Sequence, residues 1–304
     1  MNKLKIWLKA LRAPFFTASA TPVLLGSVMA WAKLGTFNWL YFFLTLIGVV
    51  SINAGTNLAN DYFDYKSGND EINKTPTPFS GGSRVIQQKL IKPSNVLVGS
   101  LVFFLFACLI GLYLNFSIPG NVILILGLIG IVIGFFYTAE PFRLGYRGFG
   151  ELWVGLCLGP LVVLGAYYVQ VQVLSREALL VSIPLGILVG LILYINGFQD
   201  YEADKKVGKK TSIVILGKEK AAKIYYFLIG FVYLWIIGGV IFKVFPLATL
   251  IVFLTIPLAI KATKILMKNF DKIYELLPVN AATIKLHLLV GLLLCGGYII
   301  DKIL

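Results

Sequence analysis

Long apolar runs separated by short polar breaks dominate the chain. About 20 apolar residues in a helix suffice to cross a bilayer. Nine runs approach or exceed that length, at approximately 14–32, 38–60, 94–114, 120–137, 150–170, 178–199, 223–242, 247–266 and 284–301. The pattern predicts an all-α polytopic membrane protein with nine transmembrane helices. The seventh and eighth runs are parted mainly by Lys243 and Pro246. The opening MNKLKIWLKALRAPFF has no small-residue cleavage site behind a short apolar core. It reads as a basic amphipathic lead-in lying on the membrane, not as a removable signal.

Composition agrees with this pattern. Of 304 residues, 58% are hydrophobic and only 13% charged, where a soluble protein carries roughly 25% charged residues. These values exclude a soluble enzyme and a disordered chain. The net charge of +13 would suggest nucleic acid as a partner of a soluble protein. Here it reads as positive-inside bias, with the lipid bilayer and no nucleic acid as partner. Of the 27 Lys and Arg, 23 fall in loops on the side of the N-terminus; the other 4 are Lys33, Arg176, Lys243 and Lys302. The expectation is therefore a multi-pass protein of the cell membrane, with a cytoplasmic N-terminus and the C-terminus outside. The longer loops, about 61–93, 138–149, 200–222 and 267–283, share the cytoplasmic side, so the polar chemistry is expected there. Cys108, Cys157 and Cys295 lie in apolar runs without metal-ligand spacing, and read as membrane filler. His287, the only histidine, reads as a packed residue of the last span.

One polar pattern occurs twice. NAGTNLANDYFDYKSGND ends the second run and YINGFQDYEADKKVGKKTS ends the sixth. Asn57 precedes Asp61 by four positions, Asn196 precedes Asp200 by four, and the copies are 139 positions apart for both pairs. A further acid follows each, Asp64 and Asp204, with Asp70 and Glu202 nearby. Residues three or four apart share a helix face, so each copy forms a stripe at one end of its helix. Acids at helix ends are commonly just solvated, but duplicated spacing in a chain with only 14 acids weighs against that. Two facing stripes would gather several carboxylates around one cavity. Oxygen ligands of that kind suit Mg²⁺, which completes its shell with water and substrate phosphates. A diphosphate bracketed through Mg²⁺ is the implied arrangement.

Cations for the diphosphate should lie close by. Candidates are Arg84 in SGGSRVIQQ, Arg143 and Arg147 in YTAEPFRLGYRGFGE, and Lys209 and Lys210 in the second motif. Arginine grips phosphate oxygens bidentately, and lysine acts as a point charge. Tyr62, Tyr137 and Tyr146 sit at interface positions, where an aromatic belt is the default reading. Shielding of a carbocation is their added possibility.

These segments resemble a known family. NDYFDYKSGND and NGFQDYEADKKVGKKTS resemble the two Asp-rich motifs of the UbiA superfamily of intramembrane prenyltransferases. RAPFFTASATPVLLGS, SGGSRVIQQKLIKP and YTAEPFRLGYRGFGELWVG resemble its menaquinone branch, the 1,4-dihydroxy-2-naphthoate polyprenyltransferases. The resemblance covers most of the chain, although the final two spans carry little of it. It implies one transmembrane domain over residues 1–304, with a first Asp motif at 57–70, a second at 196–210, and nine helices around a central cavity. A polyprenyl diphosphate would bind with its head at the cytoplasmic Asp motifs and its tail in a lipid-facing tunnel. Asp61, Asp64, Asp200 and Asp204 would be Mg²⁺ ligands and catalytic residues, joined by Arg143 and Tyr137. Asn57, Asn60, Asn196, Arg84, Arg147, Lys209, Tyr62 and Tyr146 would bind substrate. The role of Asp70, six positions beyond Asp64, stays open. The implied reaction is Mg²⁺-dependent transfer of the polyprenyl group to dihydroxynaphthoate, with loss of diphosphate and CO₂, giving a demethylmenaquinone.

Two alternatives remain. One is a superfamily enzyme with another acceptor: 4-hydroxybenzoate, homogentisate, haem, chlorophyllide or a glycerol-phosphate ether. The other is a cation-coupled transporter, whose sites usually lie at the bilayer midplane on broken helices. Both acidic stripes here end their spans on one face, which favours the enzyme.

Overall fold

The computed structural model describes residues 2–304, and among them there is no β-strand. Helix α1 (Lys3–Ala10) leads through a 3₁₀ turn into α2 (Thr17–Leu34) and α3 (Trp39–Lys66). The short α4 (Asn69–Ile72) and a long irregular loop precede α5 (Pro93–Ser117) and α6 (Val122–Phe136). Helices α7 (Gly150–Leu156) and α8 (Val162–Val171) form one span through a π turn at Cys157–Leu161. Then come α9 (Arg176–Lys206), α10 (Ser212–Leu216), α11 (Lys218–Ile241), a 3₁₀ stretch leading into α12 (Ile256–Asn269), and α13 (Leu277–Ile303).

Among the described residues, eight helical segments are long and apolar enough to cross a membrane, so the chain is a multi-pass membrane protein. The run at 120–137, expected as a ninth span, is α6, a shorter apolar helix of 15 residues. At 1.5 Å per residue it covers about 22 Å, less than the roughly 30 Å hydrocarbon core. Polar groups fix its start: the Asn115 side chain donates to Asn121 Oδ1 at 3.3 Å and accepts from Leu124 N at 3.1 Å. Past Phe136 the chain turns into the loop that carries Tyr146.

Local sequence explains the irregularities. Pro160 lacks an amide hydrogen, and the span between α7 and α8 widens there into the π turn. Glycines let that span lie against α9: a Cβ on Gly155 would come within 2.7 Å of the Gly186 carbonyl oxygen. Close approach of this kind is a common way for membrane helices to associate. Leu25, Met29, Leu185, Leu188, Tyr225 and Val290 belong to the buried core shared by α2, α9, α11 and α13.

Two polar clusters mark opposite ends of the bundle. At one end, Glu177 accepts from Lys33 at 2.9 Å and from Tyr298 at 2.9 Å, tying α9 to α2 and α13. At the other, Asn280 of α13 donates to Asn196 of α9 at 2.8 Å. Helix α13 therefore ends at the face opposite the acidic motifs.

Candidate active site

The two acidic helix ends meet. Asp61 and Asp64 lie on the last turns of α3, and Asp200 and Asp204 on the last turns of α9. Asp61, Asp64, Asp70 and Asp204 are all at most 5% exposed. Lys209 joins the two stripes, with its Nζ 3.5 Å from Asp64 Oδ2 and 3.6 Å from Asp204 Oδ1. Burial disfavours its ammonium, yet Asp204 and Asp64 outweigh that and raise its pKa well above the ordinary lysine range. A polar cavity of about 80 Å³ lies between the stripes, and Asp64, Asp70, Asp200, Asp204, Asn60 and Lys209 are among its walls.

The loop after α4 folds back over this cavity. Ser83 donates to Asp61 through both its amide, at 3.2 Å, and its hydroxyl. Asn73 donates to Asp200 at 2.8 Å, and Asn69 donates to Asp204 at 3.2 Å. Gly81 and Gly82 both have φ of +75°, a left-handed conformation that glycine adopts without strain. Space also demands glycine: a Cβ on Gly82 would lie 2.6 Å from Asp70 Oδ2. The glycine pair found in the sequence thus brings the loop onto the carboxylates.

Asp70, whose role the sequence left open, is 3% exposed and lines the cavity. Burial first, then Asp64 and Asp61, push its carboxyl up to about 8, with Arg12 and Lys209 opposing. The sign follows directly. Without metal, the fold retains a proton on Asp70 that the unfolded chain releases near its ordinary value of 3.8. The stabilisation is complete below about pH 4 and lost as pH rises through about 8. In EDTA, Asp70→Asn should therefore gain melting temperature relative to the parent chain as pH rises from about 5 to 8. A pH-independent difference would refute the assignment.

Arg12 was not among the candidates, yet it holds the site's shortest ion pair. Its Nη2 lies 2.5 Å from Asp61 Oδ1 and 3.0 Å from Asn60 Oδ1. Its signal was the RAPFF turn itself, where Arg12 has φ of 53° and Pro14 follows closely. Asn69, Asn73, Ser83 and Gln87 also went unmarked. They are ordinary polar residues in a loop, and only the return of the chain brings them to the acids.

The remaining candidates divide. Tyr146 donates to Asp64 at 2.7 Å, and its ring has Lys209 5.0 Å and the Arg143 guanidinium 5.4 Å from its centroid. Burial, and then Asp64, raise the Tyr146 pKa well above the tyrosine range. Tyr137, Asn60 and Asn196 line both the polar cavity and a larger apolar one. Asn57 lines only the apolar cavity, its amide donating to the Leu11 carbonyl at 3.1 Å and Asn53 at 2.8 Å. Tyr146 and Lys210 line neither cavity, and four further cation and aromatic candidates also lie outside both. Arg84 donates to the Asp70 carbonyl and so braces the loop. Arg143 pairs with the exposed Glu140 at 2.6 Å, and Arg147 is exposed with Nη2 on the Pro141 carbonyl at 3.2 Å. Tyr62 points away and packs in the cluster of Leu58 and Val85. The spacing of these four gave their chain position but not their direction. Lys210 is exposed, and its amide donates to the Tyr146 carbonyl at 3.1 Å.

The apolar cavity measures about 440 Å³ and is walled by residues of α2, α3 and α5 to α9. Arg12, Asn60, Phe79, Tyr137, Leu193 and Asn196 border both spaces, so the two adjoin. The arrangement can hold a molecule with a strongly polar head and a long apolar tail.

Known proteins share this chain's sequence and fold. The model of the UbiA prenyltransferase family matches residues 19–289. A 1,4-dihydroxy-2-naphthoate octaprenyltransferase of Bacillus subtilis is 33% identical over 94% of this chain and 89% of its own length. A 2-carboxy-1,4-naphthoquinone phytyltransferase of Synechocystis is 31% identical over 97% of this chain and 93% of its own. The solved structure of a UbiA homolog from Archaeoglobus fulgidus bound to DMAPP and Mg²⁺ superposes with a TM-score of 0.71. It is 17% identical and covers 98% of this chain and 99% of that one, a likeness of fold. With one family model spanning most of its length and relatives above 30% identity aligned nearly end to end, this chain belongs to the UbiA prenyltransferase family.

Proposed function

We propose that the protein transfers a polyprenyl group from polyprenyl diphosphate to 1,4-dihydroxy-2-naphthoate. The observation that carries this is a carboxylate-lined polar cavity directly adjoining a much larger apolar one. The relatives named for naphthoate and naphthoquinone acceptors support the choice of acceptor. We read residues 1–304 as one catalytic unit with Asp motifs at 57–70 and 196–210. The loop charge bias supports an active site on the cytoplasmic side.

The donor set fits Mg²⁺. The cavity offers carboxylate oxygens of Asp64, Asp70, Asp200 and Asp204 and the amide oxygens of Asn60 and Asn69. Asn69 Oδ1 is buried and has no hydrogen-bond partner. Among the described residues no three acids already converge as a metal cage. Mg²⁺ binds one or two carboxylates and takes its other ligands from water and phosphate. Of the acids expected to hold it, Asp64, Asp200 and Asp204 line the cavity, joined by Asp70, whereas Asp61 lies outside the cavity wall and is taken up by Arg12 and Ser83. When bound, Mg²⁺ supplies charge neutralisation for the departing diphosphate.

The chain's own groups would do the rest. Lys209 and Arg12 lie where a diphosphate head would sit, and their positive charge favours its departure. The allylic C–O bond breaks with both electrons leaving on diphosphate. The acceptor's ring carbon bearing the carboxylate attacks the allylic cation, forming the C–C bond. The carboxylate departs as CO₂, returning its bonding pair to the ring and leaving the quinol form of demethylmenaquinone. Tyr137, at the junction of the two cavities, presents an aromatic ring that favours a nearby cation. The apolar walls exclude water that would otherwise capture the cation.

The test is prenyl transfer in detergent with 1,4-dihydroxy-2-naphthoate, a polyprenyl diphosphate and Mg²⁺. Prenylated product with stoichiometric CO₂ is expected, abolished by EDTA and restored by excess Mg²⁺. Metal-dependent transfer only to another aromatic would move the protein to a different acceptor. Undiminished transfer in EDTA would overturn the metal role.

A further inference from the structure

The apolar cavity owes its room to glycines that nothing else requires. Helix α6 reads VILILGLIGIVIGFF, with Gly127, Gly130 and Gly134 spaced three and four apart, so they share one face at three depths. All three line the cavity. Gly134, nearest the acidic site, is forced by packing, since a Cβ there would lie 2.5 Å from Thr56 Oγ1. The other two are not. A Cβ on Gly127 would meet nothing within 4 Å, and one on Gly130 only Ile52 Cδ1 at 4.0 Å. Neither has a positive φ. Glycine inside a helix costs about 1 kcal/mol relative to alanine, and at these positions it secures neither a close contact nor a special backbone. What it secures is empty space. Gly111 of α5 repeats the case: it lines the same cavity and its Cβ would meet nothing within 4 Å.

Ile123, one turn beyond Gly127 toward the opposite face, is 8% exposed and packs with Leu114 and Val169 in a separate buried cluster. All three line the cavity end away from the acids. Along α6, measured from Tyr137 at the head end, Gly130 lies about 10 Å deep, Gly127 about 15 Å and Ile123 about 21 Å. An extended isoprene unit spans roughly 5 Å, being four carbon–carbon bonds of about 1.5 Å in zigzag. The three levels therefore correspond to about two, three and four isoprene units.

We propose that the Gly127–Gly130 face of α6 is the channel along which the donor's tail runs, and that side-chain size there sets which tail lengths the enzyme accepts. The proposal rests on the prenyl-transfer reading. The glycines hold the channel open past the second unit, and Ile123 closes its enclosed part near the fourth.

The experiment compares kcat/KM for geranyl, farnesyl and geranylgeranyl diphosphates in the full-length protein, with the same acceptor and Mg²⁺. Gly127→Phe should lower the geranylgeranyl-to-geranyl ratio on the order of 100-fold, the scale at which a filled apolar pocket discriminates. Gly130→Phe should extend the loss to farnesyl diphosphate. Ile123→Ala should move the ratio the other way. Transfer from geranyl diphosphate shows that a variant is folded. Should either phenylalanine variant lose that too, Gly127→Val takes its place, with a smaller shift in the same direction. Unchanged ratios in Gly127→Phe or Gly127→Val would mean that the tail leaves by another route, and would overturn the proposal. Failure of the parent chain to transfer any of the three donors would instead count against prenyl transfer itself.

Discussion

Replacing Asp64 with asparagine is expected to lower prenyl transfer by on the order of a thousand-fold while leaving the metal-free protein at least as stable. Asp64 is the carboxylate on which the site converges: it accepts from Tyr146 at 2.7 Å and Asn60 at 3.1 Å, and lies 3.5 Å from Lys209. Removing its charge takes away a ligand for Mg²⁺ and loosens the hold on Lys209, two groups that act on the leaving diphosphate. Losses of about 10²–10³ follow removal of one preorganised electrostatic group, and here two are disturbed together. Stability moves otherwise. Five acids crowd this region, against the half-buried cations Arg12 and Lys209. Like charges packed in low dielectric repel. The amide removes one of them at nearly constant volume. Sites built for function commonly oppose stability in this way. The check is a paired measurement, transfer rate with Mg²⁺ and melting temperature in EDTA. Transfer within about tenfold of the parent chain would sink the assignment of Asp64, as would the same result for Asp204→Asn, its counterpart across Lys209.

Arg12→Ala should act in the opposite sense on stability, at a cost of about 3 kcal/mol or more. Its partner Asp61 has a side chain only 3% exposed, and the ion pair is 2.5 Å long. Breaking a buried pair from one side leaves an uncompensated charge, which typically costs 3–5 kcal/mol. Ser83 would remain as a neutral donor to Asp61, too little to balance a full charge. Asp61→Asn in the same background removes the orphaned charge, so the double variant should regain much of the loss. Thermal or denaturant unfolding of the four proteins in EDTA forms a double-mutant cycle. Purely additive effects would mean that the pair contributes no coupling and that Arg12 matters only as bulk.

How much of the site was legible depended on whether a residue acts from a regular element. Asp61, Asp64, Asp200 and Asp204 lie at helix spacing on α3 and α9, so periodicity alone put each pair on one face, and the structure brings the faces together across Lys209. The duplicated asparagines fared differently. Asn57 and Asn196 hold equivalent sequence positions, yet Asn57 bonds to the Leu11 carbonyl whereas Asn196 accepts from Asn280 of the last helix. Each partner comes from an element distant in sequence, which repeat spacing cannot foresee. The loop cations show the same limit. Arg84 and Arg143 were expected near the diphosphate, but both have φ in the left-handed region, 65° and 42°. That backbone turns Arg84 onto a carbonyl and Arg143 onto Glu140.

The sequence by itself determined the membrane character, the helical class, the family and the two acidic stripes. Hydrophobic run length and helical period are local quantities, and each was written within about thirty residues of chain. Tertiary structure alone decided that α6 is short, that Arg12 neutralises Asp61, that Asp70 joins the buried acids, and that the loop of Gly81 and Gly82 covers the cavity. It also decided where the empty space lies. A glycine in an apolar helix reads the same whether it faces lipid, a neighbouring backbone or a channel; only the positions of the surrounding helices distinguish Gly134, pressed against Thr56, from Gly127, which faces nothing.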